Sequence, residues 1–324
     1  MEFFNSRGLK TYVQPDGRVF PKTNSAATVR DFFLTKTSQK EVKIISAVVE
    51  HVSRKGDIFT IKSGTGAFEY DVLVIATGGN RKKSCSGYKL AEALGHTITE
   101  LRPSLTSLTA KEGWVSKLAG VSIKNAIIQS YFKGKRISHV KGDFVFTHRG
   151  IAGPAAFNTS AYCAYLDYSD EEPLILRINF IPELNYADFT TGLAEQGNKT
   201  TLNALKEYIP KSLATELLVA YNISPERKVS GITDKERESL FKMLSEAEIT
   251  VTSPAKDGEI VTAGGVALKE VNPATMESKL VERLFFCGEV LDIDGLTGGF
   301  NLQMCWSTGY LAGQNAASCI IAKQ

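Results

Sequence analysis

Two short apolar runs in this sequence end in glycine-rich turns, and both turns carry residues able to hold a ligand. Tyr70-Asp71-Val72-Leu73-Val74-Ile75-Ala76 runs into Thr77-Gly78-Gly79. Far downstream, Leu284-Phe285-Phe286-Cys287 stops at Gly288-Glu289 and continues through Asp292 and Asp294 to Gly295-Leu296-Thr297-Gly298-Gly299. Glycine after a buried strand removes the Cβ and lets a second backbone or a ligand come close. A carboxylate such as Glu289 accepts hydrogen bonds from ribose or polyol hydroxyls. The second loop opens into Phe300 and Asn301, and the run from Asn301 to Ile320 reads as a helix lined with small residues. Amides at such a helix start bind phosphate, helped by the helix dipole. The plain alternative for each segment is a tight turn, and for the first segment taken alone that alternative is the stronger. For the second, the density of glycines and acids between a strand and a helix favours a ligand.

The elements around these turns set the architecture. Ala26 to Leu34 reads as a short helix, Glu41 to Val52 as a strand, and Asp57 to Ser63 as another, turning at Gly64-Thr65-Gly66. The β-branched run ending at Ala76 is the signature of a strand buried in a parallel sheet. Lys89 to Leu94 follows as a helix with Gly95 as its C-cap. The middle of the chain changes character. Val121 to Gln129, Tyr131 to Val140 and Asp143 to Thr147 read as three short strands with a turn at Lys133-Gly134-Lys135, and Leu174 to Ile181 as a fourth. From Asn185 to Ala247 the pattern is helical, with Leu213, Leu217 and Leu218 on one face, Lys235 to Ser245 as a further helix, and Pro210 and Pro225 at helix ends. The order is α/β, then strands and helices, then α/β again, which predicts a nucleotide-binding unit interrupted by an insertion.

Composition narrows the classes. The 324 residues suffice for two domains, and 43% apolar with 23% charged residues is ordinary for a globular chain. A net charge of +3 gives no global pull toward nucleic acid or an anionic membrane, so neither is expected as a partner. No apolar stretch has the length to span a bilayer, and the first residues do not form a secretion signal. Cys85, Cys163, Cys287, Cys305 and Cys319 make no metal-binding spacing with the histidines, and a reducing cytoplasm suits them.

An apolar strand ending in Ala-Thr-Gly and a later one ending in Gly-Glu recur as a pair in flavoproteins, and here the pair is Ala76-Thr77-Gly78 with Gly288-Glu289. Around that pair the chain resembles the HI0933-like flavoproteins, which include aminoacetone oxidase-like and bile-acid reductase-like FAD-dependent enzymes. The resemblance runs in matching order from Asp16-Gly17-Arg18-Val19-Phe20-Pro21 through Gly87-Tyr88-Lys89-Leu90-Ala91, Leu94-Gly95-His96 and Arg102-Pro103-Ser104-Leu105. It continues over Phe146 to Ala155 and Thr262-Ala263-Gly264-Gly265-Val266, and closes with Gly288 to Gly295 and Thr297 to Gln303. It implies an α/β fold: an FAD-binding Rossmann domain of the glutathione-reductase type, carrying an inserted β-barrel-like and helical region. The expected division is 1–105 and 259–324 for the FAD-binding domain and 106–258 for the insertion.

The resemblance also implies site residues. The expected cofactor contacts are Thr77, Gly78, Gly79, Gly264, Gly265, Gly288, Glu289, Asp294, Thr297, Gly298, Gly299, Phe300 and Asn301. Asn301 and the amides of Thr297 to Phe300 would hold the pyrophosphate or ribityl chain, and Glu289 or Asp294 the ribityl hydroxyls. His148 is the candidate proton donor, with loop anchoring as an equal alternative. Arg18 reads at least as well as a loop brace, Cys85 as a bystander thiol, and Arg81, Lys82 and Lys83 as a solvated loop. The expected activity is an FAD-dependent oxidoreductase passing electrons between NAD(P)H or a small organic substrate and an acceptor. Two departures qualify this. No Gly-x-Gly-x-x-Gly turn precedes Asp16, so the FAD domain is expected to be N-terminally truncated. The loop Asn80 to Ser86 is shorter and more basic than the family's. The alternative expectation is therefore a truncated or degenerate flavoprotein that binds FAD poorly and is not catalytic alone.

Overall fold

A computed structural model describes residues 1–40, 42–80, 87–255, 258 and 260–321. The chain opens with α1 (Glu2–Asn5), the hairpin β1 (Thr11–Val13) and β2 (Val19–Pro21), and α2 (Ala26–Gln39). A three-stranded antiparallel meander follows: β3 (Val49–Lys55), β4 (Ile58–Ser63) and β5 (Gly66–Tyr70). Then come β6 (Leu73–Ile75), α3 (Gly87–Ala93) and β7 (Arg102–Ser104).

The middle of the chain builds a closed barrel. Its elements are β8 (Leu108–Ala110), α4 (Gly113–Lys117), β9 (Ser122–Phe132), β10 (Lys135–Phe146), β11 (Gly150–Ala152), α5 (Pro154–Tyr162) and β12 (Leu174–Asn179). Four helices cover it, namely α6 (Tyr186–Ala194), α7 (Thr201–Leu205), α8 (Lys211–Ala220) and α9 (Asp234–Ser245), and β13 (Ala247–Pro254) completes it. The barrel order is β10-β11-β8-β13-β12-β9. The chain then returns through β14 (Val261–Ala263) and β15 (Leu284–Phe286) to the long α10 (Phe300–Ile321). No helix among the described residues is long and apolar enough to cross a membrane.

Two separate cores hold these parts. One fills the barrel and its helices, with Phe144, Phe146, Ile128, Leu176, Phe189 and Leu217 among its members. The other joins the strand pair to its helices through Ile75, Leu90, Val266, Phe285, Phe286 and Ala312. Phe285 and Phe286 are fully buried, and each contributes about 2–3 kcal/mol by leaving water. On α10 the buried residues are Thr308, Ala312 and Ala316. Their four-residue spacing forms one stripe, and their small size lets the helix lie close to β15.

The structure corrects several sequence expectations. The strand expected from Glu41 to Val52 begins only at Val49, and Glu41 itself lies outside the described residues. Val42, Ile44, Ile45 and Val48 are exposed and belong to no strand. Strand propensity alone does not make a strand without a ladder partner, and none among the described residues pairs with this run. The three short strands expected between Val121 and Thr147 are one long hairpin, β9 and β10, turning at Lys133 (φ 50°) and Gly134 (φ 75°). Two positive φ values in succession match the right-handed twist of a hairpin. Register breaks fall at Arg136/Ser138 and Gly142/Phe144, the second beside the expected gap between Val140 and Asp143; such bulges bend strands around a barrel. The helix expected to end at Leu34 continues to Gln39. The apolar run ending at Ala76 is a strand only over Leu73–Ile75. Among the described residues it is paired on one edge alone, which leaves Val74 38% exposed instead of buried.

Other expectations agree in detail. After α3, Gly95 has φ 89°, its amide donates to the Glu92 carbonyl, and the His96 amide donates to Ala91. These are the two bonds of a Schellman stop. That stop drops His96 into the core at 4% exposure, edge-on to Phe286 with ring centroids 4.7 Å apart. His96 Nε2 lies 2.8 Å from Ser278 Oγ. The Ser278 oxygen accepts the amides of Leu280 and Val281, so its proton is directed to the imidazole. Burial lowers the His96 pKa below its ordinary 6.5, partly opposed by Glu270. The folded chain thus keeps His96 neutral where the unfolded chain takes up a proton. Its contribution to stability is full above the ordinary value and falls as pH drops below it. The thermal midpoint should decline between about pH 7.5 and about pH 5.5, and His96→Gln should flatten that part of the profile; an unchanged slope would refute the assignment.

Candidate functional site

The site is organised by a parallel strand pair from opposite ends of the chain. β6 and β15 align Leu73 with Leu284, Val74 with Phe285 and Ile75 with Phe286. The Cys287 amide donates to the Ile75 carbonyl at 3.2 Å and extends the pairing to the strand ends. Parallel strands open their carboxyl ends on one side, so Ala76 to Gly79 and Gly288-Glu289 emerge together. Ligands of open α/β sheets bind at such ends.

One polar cluster ties these turns. Glu289 Oε1 accepts the Thr262 amide at 2.9 Å, and Thr262 Oγ1 accepts the Asn80 amide at 2.7 Å. A Cβ on Gly79 would collide with the Glu289 carboxylate and stand 2.6 Å from Thr262 Oγ1. Gly79 is therefore a glycine because Glu289 packs against its backbone. Thr77 fills the space beside Gly87 in the same way. Behind the turn, Thr308 Oγ1 accepts the Gly288 amide at 2.9 Å, and Gly288 has φ 74°.

A second cluster shapes the loop before α10. Asn301 brackets Gly295: its Oδ1 accepts the Gly295 amide and its Nδ2 donates to the Gly295 carbonyl, each at 2.8 Å. The Thr297 amide donates to Asn158 Oδ1 of α5 at 2.8 Å. Ser104 Oγ donates to Asp294 Oδ2 at 2.7 Å. The side chains of Asn301 and Asp294 thus serve the loop itself. Gly298 (φ 130°) and Gly299 (φ 91°) then lead into the helix, with Phe300 64% exposed over Gly298.

Gly264 and Gly265 have a third role. They thread between two backbones: a Cβ on Gly264 would strike the Glu100 carbonyl, and one on Gly265 would lie 2.6 Å from the Val290 oxygen. The Gly265 amide donates to Thr99 Oγ1, and its carbonyl accepts the Thr99 amide, both at 2.9 Å. The next residue, Val266, donates to the Val290 carbonyl and accepts from Asp292.

His148 is exposed on the turn between β10 and β11, where Thr147 Oγ1 accepts the amides of Arg149 and Gly150. No hydrogen bond, ion pair or ring contact among the described residues joins it to the glycine loops. Arg18 pairs with Asp16 at 2.7 Å on the surface and braces the β1–β2 turn. Arg81, Lys82, Lys83, Ser84, Cys85 and Ser86 lie outside the described residues. The sequence assigns no site role to Thr262, Asn158, Thr99 or Ser104. Thr262 and Ser104 stand inside motifs that carry the resemblance, Thr262 two residues before the glycine pair; Asn158 gives no local signal, because its partner is Thr297.

The site can be tested for a dinucleotide cofactor on its shape. Among the described residues, nothing lies within 4 Å of where a Cβ would stand on Gly78 (φ 76°) or Gly299, so both backbones face open space there. The first amides of α10 have no acceptor within the helix. Open glycine backbone at a strand end, beside a helix start, fits a phosphate-bearing group. The cavity of about 220 Å³ beside Arg102, Leu166 and Tyr168 lies away from these loops.

A parallel strand pair, glycine turns at its carboxyl ends and a helix closing over it define a Rossmann-type α/β protein. A family model described as the HI0933-like protein Rossmann domain matches residues 1–315. The chain belongs to the HI0933-like family, a family of Rossmann flavoproteins. It is 32% identical to a 3-dehydro-bile acid delta(4,6)-reductase of Clostridium scindens over 98% of this chain and 79% of that one. It is 27% identical to a ribosomal RNA dihydrouridine synthase of Escherichia coli over 97% and 78%. A ribosomal RNA dihydrouridine synthase of Haemophilus influenzae is 32% identical over 78% of this chain and 62% of its own.

The glycine threading yields a prediction. Gly265→Ala places a side chain at φ 153° against the Val290 carbonyl and should cost about 3 kcal/mol. Gly299→Ala, strained by its φ of 91° but without a close neighbour among the described residues, should cost only about 1–2 kcal/mol. Urea denaturation of the two variants checks the ranking, and equal losses would contradict it.

Proposed function

We propose that the chain is an FAD-dependent reductase that delivers a hydride and a proton to an electron-poor carbon–carbon double bond. The observation that carries this reading is the open glycine backbone at Gly78 and Gly299, beside the start of α10. The amides of Gly298, Gly299 and Phe300 receive the cofactor phosphates, and Asn301 keeps the preceding turn in shape. Glu289, held by the Thr262 amide, fixes the loop at Gly79, which would receive the ribityl chain. Bound FAD supplies the hydride, taken from NAD(P)H.

The relatives support the choice of acceptor. A delta(4,6) steroid bearing a 3-oxo group and the uracil base both carry a carbon–carbon double bond conjugated to a carbonyl. The shared chemistry is reduction of that bond. A uracil base in RNA offers the same bond, but a net charge of +3 gives no pull toward nucleic acid, so the present chain is expected to act on a small conjugated ketone. The division into an FAD part and a substrate-facing insertion follows the two cores. His148 keeps its candidate role as proton donor.

The visible spectrum tests the reading first. The purified chain, incubated with FAD and desalted, should keep a flavin band. It should bleach with NAD(P)H without oxygen and recover on adding a conjugated enone. A chain that stays colourless would defeat the reading and leave a degenerate flavoprotein. In a chain that binds flavin, His148→Gln should slow enone reduction by about a hundredfold at unchanged flavin content; unchanged turnover would remove His148 from the mechanism.

A further inference from the structure

The loop before α10 is held from two directions, and only one of them is local. Asn301, on α10 itself, brackets Gly295. The other hold comes from the barrel. Helix α5 is capped at its start by Gly153, whose φ of 100° disfavours a side chain and where a Cβ would stand 3.2 Å from Phe144 Cα. Ser160 on the same helix accepts the Thr106 amide at 2.8 Å, where the chain enters the barrel. With its start against β10 and its end against that crossing, α5 has little freedom to turn. Asn158 lies between these anchors, and its Oδ1 accepts the Thr297 amide.

We propose that Asn158 is a positioning residue for the cofactor loop: the insertion, through α5, sets the backbone on which the flavin phosphates rest. This rests on the FAD reading above. The Thr297 amide is turned toward α5 and is not available to a ligand. No acceptor among the described residues takes the amides of Gly298, Gly299 or Phe300, which leaves them for a ligand. Without the Asn158 acceptor the Thr297 amide is left unpaired and seeks another partner. The two flexible glycines that follow give the loop the freedom to rotate toward one.

The test compares Asn158→Leu, which keeps the volume and removes the acceptor, with Asn158→Asp, which keeps the acceptor. FAD affinity is read from quenching of flavin fluorescence, and amide exchange at Thr297 is read on the chain without FAD. N158L should bind FAD about tenfold more weakly and exchange Thr297 about tenfold faster. N158D should stay within about threefold of the parent in both. Thermal midpoints confirm that the variants are folded. N158L binding FAD as the parent does, or N158D losing as much as N158L, would overturn the proposal. A parent chain that binds no FAD would overturn the functional reading instead. The role of Asn158 in the loop is then decided by exchange alone, and unchanged exchange in N158L would overturn it.

Discussion

The structure depends on the parallel pairing of β6 with β15. These strands are three residues each and, of the strand pairings among the described residues, join the segments furthest apart in sequence. The entropy of that closure grows only slowly with loop length, and the fully buried Phe285 and Phe286 offset it. Everything chemically interesting follows from the register. Shifted by one residue, the pair would turn its buried side chains outward and would separate Gly79 from Glu289. The barrel between them folds around its own core and leaves and rejoins the α/β part at β7 and β14. These pair antiparallel, Arg102 with Ala263 and Ser104 with Val261.

The polar residues around the turns have a common logic. Glu289, Asp294 and Asn301 are the kinds of side chain one expects to reach for ligand hydroxyls or phosphates. Each instead holds a backbone amide or a hydroxyl of the protein. The surface left for a ligand is mostly main chain, at Gly78 and from Gly298 to Phe300. Backbone dipoles fixed in advance serve phosphate well, since they need no rearrangement on binding. The glycines divide accordingly. Gly79, Gly264 and Gly265 are there because protein backbone or side chain comes close, whereas Gly78 and Gly299 border open space.

Local signals in the sequence were reliable where the cause was local. The run to Cys287, the Gly95 stop and the small-residue stripe of α10 each follow from neighbouring residues, whereas the run to Ala76 shortened to three residues because only one partner strand pairs with it among the described residues. The apolar segment from Val42 to Val48 looked like a strand because β-branched residues favour one, yet pairing is a property of the partner. Of the two boundaries expected within the β9–β10 hairpin, the one after Val140 lies beside the bulge at Gly142/Phe144, whereas β9 itself is paired without a break through Ser130. The resemblance located the candidate site, but Thr262, Thr99 and Asn158 act on residues distant in sequence. Nothing in their own neighbourhoods announces the partner.

The two crossings between the parts have a mechanical meaning. β7 and β14 lie side by side, so the chain leaves and rejoins the α/β part along one short edge. The bond from Thr106 to Ser160 ties α5 to that crossing, and the bond from Asn158 to Thr297 ties the same helix to the loop before α10. One helix therefore spans from the entrance of the barrel to the glycine loop, and a change of packing under α5 is passed to that loop through a single side chain.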